Sequence, residues 1–299
     1  MGKEKSTSDK PKSKKKLFKI IGISVLILIV IISLSLYFLL KTPNTKDAYI
    51  STFEGEVQVY INNKWQTPTL NQELSLNDKV KTGDSGSATL LLMEKAIISI
   101  EPSTEIEISA LKENEIKIKQ TSGSTWNKFL GILGVDTYEV ETPNAVASVR
   151  GTEFNVKNNS VLTSEGIVGY KTEIEEILVN KYEKVEIKEG LKLEKVEITS
   201  EEKLIILEKK KDTLNNLKNL RTKEIEKNTF LVNKAKNMYN LTDEDILAYL
   251  EKIDNGEIDD NMLIEKSPIK SDSLLKIKKI NDEIKNTKKD ITELENELN

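Results

Sequence analysis

Two arginines, Arg150 and Arg221, stand among 45 basic residues, and the other 43 are lysine. In a chain this rich in lysine, isoleucine, asparagine and glutamate, an arginine marks a place for a planar five-donor fork that an ammonium cannot replace. Arg150 lies between two alternating stretches and precedes Gly151, a residue free to take backbone conformations closed to others. Two uses fit it. A partly buried fork onto carbonyls or a carboxylate would lock a β corner, or an exposed guanidinium would recognise an acidic ligand or partner. Trp65 and Trp126 present a similar choice between core anchors, the reading taken, and a carbohydrate-stacking platform.

The remaining chemistry is narrow. Histidine and cysteine are absent, which excludes imidazole bases, thiol and Ser–His nucleophiles, zinc fingers and disulfides. Carboxylate pairs, Ser–Lys arrangements and oxygen-ligand metals are left. The glutamates alternate along solvated strand faces, so no catalytic pair is assigned and the chain is read as a non-enzyme. The acidic run Asp254-Asn255-Gly256-Glu257-Ile258-Asp259-Asp260 invites a calcium-loop reading. With Gly256 at loop position six, Ile253 and Met262 fall where ligands belong, so an EF-hand is rejected. Glycine-rich phosphate cradles are missing, and a net charge of −4 gives no case for nucleic acid. No cofactor and no metal are expected.

The elements that carry these residues follow from periodicity. From about residue 51 to 199 the period is two, as in Glu56-Val57-Gln58-Val59, Thr104-Glu105-Ile106-Glu107-Ile108, Glu115-Ile116-Lys117-Ile118 and Glu153-Phe154-Asn155-Val156. Apolar-in, charged-out alternation predicts short antiparallel strands with one face on a core and one in water. The fold class expected is mainly β, as a sandwich, roll or β-solenoid.

Within this stretch the motifs resemble the FecR domain family. They begin at Gly55-Glu56-Val57-Gln58-Val59 with Trp65 following, and continue through Leu76-Asn77-Asp78-Lys79-Val80-Lys81-Thr82-Gly83 to Gly123-Ser124-Thr125-Trp126. The most specific part is Thr142-Pro143 leading to Arg150-Gly151-Thr152-Glu153-Phe154, with Glu165-Gly166 closing the series. The motif residues Gly55, Trp65, Asp78, Thr82, Gly83, Trp126, Thr142, Pro143, Arg150, Gly151, Thr152 and Phe154 are read as structural. The resemblance implies a β domain outside the cytoplasm. In iron-uptake regulators of this family it also implies a cytoplasmic sigma-factor-binding domain and a small α/β domain. Here a 19-residue lysine tail and a helical C-terminal region stand in those places, and Glu94-Lys95 replaces the Asp-Gly turn the family often has.

Residues 20–40 are 21 uncharged, nearly all apolar residues, about 32 Å as a helix and so matched to a hydrocarbon core of roughly 30 Å. Residues 1–19 carry eight lysines against Glu4 and Asp9, a charge of +6 that leaves −10 on the rest. The expectation is a disordered cytoplasmic tail (1–19), an uncleaved transmembrane anchor (20–40), a linker (41–50), the β domain (51–199) and a helical region (200–299). The chain then sits in the plasma membrane as a single-pass protein, N-terminus inside.

After Thr199-Ser200 the period changes. Leu207, Leu214, Leu217 and Arg221 suggest one seam, and Ile277, Ile280, Ile284, Thr287, Ile291, Leu294 and Leu298 a clearer one with 3-4 spacing. Thr242 to Asp245 is a capping-box variant opening a short helix that stops near Gly256. A hairpin of 201–236 against 274–298 is expected, or a seam for self-association or a protein partner. The ligand is not readable. The function expected is non-catalytic envelope-associated binding, scaffolding or signalling, with transmembrane regulation of a sigma-type transcription factor as the alternative.

Overall fold

Period-two alternation becomes a series of short strands. They are β1 (Ala48–Glu54), β2 (Val57–Ile61), β3 (Lys64–Gln66), β4 (Lys79–Thr82), β5 (Ser87–Leu92), β6 (Ala96–Ile100), β7 (Glu105–Lys112), β8 (Glu115–Ser122) and β9 (Ser124–Phe129). Then follow β10 (Thr137–Glu141), β11 (Val146–Val149), β12 (Thr152–Lys157), β13 (Ser160–Glu165), β14 (Ile167–Lys171), β15 (Glu176–Asn180), β16 (Lys184–Ile187) and β17 (Leu193–Val196). The computed structural model describes residues 48–112, 114–131, 137–261 and 272–298. The tail 1–19, the apolar run 20–40 and residues 41–47 of the expected linker lie outside the described residues. Among the described residues no helix is long and apolar enough to cross a membrane. The first strand begins at Ala48, inside the expected linker, because Ala48, Tyr49 and Ile50 are buried and pair with β5.

The strands form two sheets. Sheet A runs β1-β5-β6-β9-β12-β13-β16-β17 and sheet B runs β15-β14-β11-β10-β8-β7-β4-β2-β3. After β1 the chain supplies β2 to β4 to sheet B, β5 and β6 to A, β7 and β8 to B, and goes on alternating to its last strand. All neighbouring strands are antiparallel except β8 and β10, which run parallel. One core fills the space between: Leu90, Ile98, Phe129, Phe154 and Val161 of sheet A meet Val59, Ile106, Ile116, Tyr138 and Tyr170 of sheet B. Of the expected alternatives this is the sandwich. Tyr138 lies against Phe129 at 5.4 Å between ring centroids and edge-on to Phe154 at 6.1 Å.

The two sheets differ on their outer faces. Sheet B keeps the expected alternation, with β7, β8 and β10 buried at every second residue only. In sheet A, β9 and β12 are buried over five consecutive residues each. The helices are α1 (Ser200–Lys227), α2 (Thr229–Tyr239), α3 (Asp243–Asp254) and α4 (Asp272–Leu298), and the cause is α1 and α4, which lie over sheet A. Capping boxes open α1 at Thr199/Glu202 and α3 at Thr242/Asp245, the second as the sequence predicts.

The expected single helix 201–236 breaks at Asn228, where the backbone leaves helical geometry. α1 and α4 do pack together, but the apolar stripe is not closed by the hairpin alone. Leu217, Leu220, Ile280 and Ile284 pack with Tyr49, Leu91, Ile97 and Leu130 of the sandwich, and Ile206 and Leu294 pack with Trp126 and Leu162. The domain expected to stand apart at 200–299 is therefore the third layer of a single unit running from Thr45 to Asn299.

Candidate functional site: an ionic seam between sheet and helices

The motif residues divide into corner formers and one exposed charge. At Gly55 the backbone has φ +65°, and an added Cβ would stand 2.2 Å from the Ser85 carbonyl oxygen, so only glycine fits. Gly83 gives its N–H to the Glu56 carbonyl at 2.8 Å. Asp78 accepts from the Ser75 N–H at 2.7 Å. The buried Thr82 hydroxyl donates to the Glu101 carbonyl at 2.6 Å and accepts from the Thr104 N–H at 3.0 Å, tying the start of β7 to the end of β4. Thr142 closes the β10–β11 turn by donating to the Ala145 carbonyl and accepting the Ala145 N–H, both at 3.0 Å, while Pro143 is exposed at the tip. Gly151, at φ +65°, carries the chain from sheet B to sheet A. Thr152 then donates to the Ile167 carbonyl at 3.2 Å, and Phe154 is fully buried.

Arg150 departs from the expected fork. It is exposed, and its guanidinium has no hydrogen-bond or ion-pair partner among the described residues. The fork is made by the other arginine. Arg221 is buried and grips Asp254 with both ends, at 2.5 and 2.9 Å, and donates to Asn281 Oδ1 at 2.9 Å. This fixes the C-terminal end of α3 onto α1 and α4. The acidic run is used in the same way, since Asp260 accepts from Asn281 at 2.8 Å. Trp126 is a buried anchor, though beneath the helices and not between the sheets. Trp65 is 41 % exposed on edge strand β3, tilted against Tyr60 at 5.3 Å, so it anchors no core.

The side chains that the fold brings together were not among those singled out as a site. On the outer face of sheet A, Lys128 (β9), Glu153 (β12) and Glu165 (β13) meet Lys210 of α1 and Glu283 and Asp290 of α4. Lys128 pairs with Glu165 at 2.7 Å and Glu283 at 2.8 Å. Lys210 pairs with Glu153 at 2.9 Å and Asp290 at 2.8 Å, and Glu165 lies 3.7 Å away. Glu153 also accepts from the Thr213 and Ser164 hydroxyls at 2.6 and 3.0 Å. Burial works against the Glu153 charge, but Lys210, Lys128 and these hydrogen bonds outweigh it and hold the carboxyl at about 2. Burial likewise opposes the Lys210 charge, and Glu153, Glu165 and Asp290 reverse the effect and raise its pKa. Both groups are therefore charged at neutral pH. A lysine held this way is neither a nucleophile nor a base, so the seam is suited to holding two layers in register and not to catalysis.

A second contact explains a departure from the family pattern. Glu94 occupies the β5–β6 turn with a left-handed backbone at φ 55°, and its buried carboxylate receives Lys227 of α1 and Lys276 of α4. Glu94, which stands where the resemblance leads one to expect an Asp-Gly turn, is the residue the helices grip.

Residues 78–168 match the FecR protein family. The resemblance seen in the motifs is thus shown over that segment. The FecR segment contains all three sheet-borne members of the seam, Lys128, Glu153 and Glu165, whereas the helices that meet them lie outside it. Two crystal structures of a candidate anti-sigma factor from Parabacteroides distasonis, at 2.50 and 1.65 Å resolution, are similar to the chain with a TM-score of 0.37 and 14% identity. In each case the similarity covers 40% of this chain, which spans 59% of the length of the other. Among curated proteins none matches.

Part of the seam left a trace in the sequence. The buried residues of α1 include Ile206, Lys210, Thr213, Leu217, Leu220 and Glu224, a strict 4-3 alternation of which three members are polar. Scoring apolar residues alone shifts the register onto Leu207 and Leu214. Polar residues at heptad core spacing were the signal available for Lys210 and Thr213.

Proposed function

We propose that this chain is a single-pass plasma-membrane protein that holds a non-catalytic FecR-type module outside the cytoplasm for envelope-associated binding, scaffolding or signalling. The observation that carries the reading is the order of the parts: a +6 tail, 21 uncharged residues, and then a β unit containing the FecR match at 78–168. Sheet A is covered by the helices, so recognition falls to the outer face of sheet B and to the sheet edges. That face carries rows of opposite charges, such as Lys79–Glu107 at 3.2 Å and Lys117–Glu139 at 2.8 Å. Protease added outside spheroplasts should digest the chain beyond residue 45 and leave the tail with the membrane. Protection of the β unit would overturn both orientation and location.

The FecR match also favours a second reading, in which the protein reports an outside event to a cytoplasmic sigma-type factor. That reading needs an effector that docks on residues 1–19. Recovery of a sigma-type factor on the immobilised 19-residue tail supports it, and recovery of none leaves the first reading alone.

A further inference from the structure

The helix cover of sheet A is incomplete at its β1 edge. Where α1 packs down, the strands offer Leu91 and Ile97 to Leu217 and Leu220. Two residues along the same strands stand Thr89 and Ser99, in register with each other and, through Thr89, with Thr52 of β1. Their chain neighbours Ala88, Leu90, Ile98 and Ile100 belong to the core between the sheets, so this row of hydroxyls faces outward. It is the floor of a groove of about 330 Å³ between the sheet edge and α1, a volume within the range of about 300–1,000 Å³ usual for small-molecule sites.

The wall is a stripe of α1. Asp212, Asn215 and Asn216 line the groove, and Asn219 lines a narrow continuation of it together with Asn216 and Thr89. Spacings of three, four and seven residues put these four on one side of the helix. Asparagine is a poor helix former, yet three stand here in the interior of a 28-residue helix, where they cap nothing. Among the described residues, neither their amides nor the hydroxyls of Thr52, Thr89 and Ser99 have a hydrogen-bond partner. Glu101, at one end, is paired with Lys209 at 2.6 Å, whereas Glu54 and Asp212 have no ion pair among the described residues.

We infer that this groove binds a short stretch of uncharged glycan, held between the asparagines of α1 and the hydroxyl row of sheet A. Every sugar hydroxyl both donates and accepts, as do the Asn amides and the Ser and Thr hydroxyls that line the groove. The two unpaired carboxylates repel an anionic ligand. An extended peptide fits less well. The backbone groups of the floor are already used in the β1–β5–β6 ladders, so no strand can be added there, and the hydroxyl row offers no socket for an apolar side chain. The inference gives a ligand class to the binding role proposed above and rests on that reading only for where the ligand is met. Its test is read on purified protein, so it can fail while the protease test of orientation holds.

The experiment titrates the full-length chain, in a detergent without a sugar headgroup, with tetra-N-acetylchitotetraose and with cellotetraose, and with tetra-alanine as the peptide probe. Saturation-transfer NMR should show contact with at least one of the two tetrasaccharides and none with tetra-alanine. Thr89→Val and Asn216→Leu each remove one hydrogen-bonding group and should each weaken that binding about tenfold. The melting temperature should stay level or rise, because valine suits a strand and leucine a helix better than the residues they replace. Contact with neither tetrasaccharide overturns the proposal, and so does binding that both variants leave unchanged. A melting temperature that falls along with binding would make these polar groups structural and also overturns it. Contact with tetra-alanine that the variants abolish would assign the groove to a peptide instead.

Discussion

Arg150 and Arg221 carry the same side chain and sit in opposite circumstances. Arg150 is exposed at the corner before Gly151, without a partner among the described residues, whereas Arg221 is buried on Asp254 and Asn281. Arg221→Lys keeps the charge but loses the fork. Unfolding of residues 45–299 in urea should show a loss of about 2 kcal/mol for it, and no measurable change for Arg150→Lys. Lys210 is the harsher case. Lys210→Met leaves Glu153 and Asp290 facing each other without their shared cation. Stranding a buried charge in this way costs about 3–5 kcal/mol, which the same denaturation series would register.

Among the elements, the boundary between sheet A and the helices responds to pH. Glu153 is held at about 2, below the ordinary carboxylate value of 4.5, so its contribution is complete above 4.5 and disappears as pH falls toward 2. A shift of that size corresponds to roughly 3 kcal/mol. Glu283 and Asp290 move in the same direction, since Lys128 and Lys210 outweigh the burial that opposes their charges. Trp126 reports on this boundary because it lies beneath Ile206 and Leu294. With Trp65→Phe it is the only tryptophan left. Its emission should shift to the red between pH 4.5 and 2, and hold steady from pH 5 to 8. The same boundary limited what the sequence could tell. Alternation located β7, β8 and β10 because their polar residues do face water. It misjudged β12, because Glu153 and Asn155 follow the same alternation while being buried on the helix-covered side of sheet A. A period of two records which residues share a face and not what covers that face. The α3 capping box was readable for the opposite reason: it is a local bond between Thr242 and Asp245 that needs no distant partner.

For the whole molecule, the sequence separates a β domain from a helical region because the period changes at Thr199-Ser200, and a change of period looks like a domain boundary. The contacts unite them. Two apolar clusters and the ions around Lys210, Lys128 and Glu94 join α1 and α4 to the sandwich. The FecR segment supplies one side of that boundary and the helices the other. The claim that they form one unit is tested most directly by heating residues 45–299 of the Trp65→Phe variant at pH 7. Helix content is followed by circular dichroism at 222 nm and the sheet–helix boundary by Trp126 fluorescence. A single cooperative transition with the same midpoint by both probes is the predicted result. Helices that melt first, at a midpoint clearly below a second transition of the sheet signal, would contradict it and restore the picture of two separate domains.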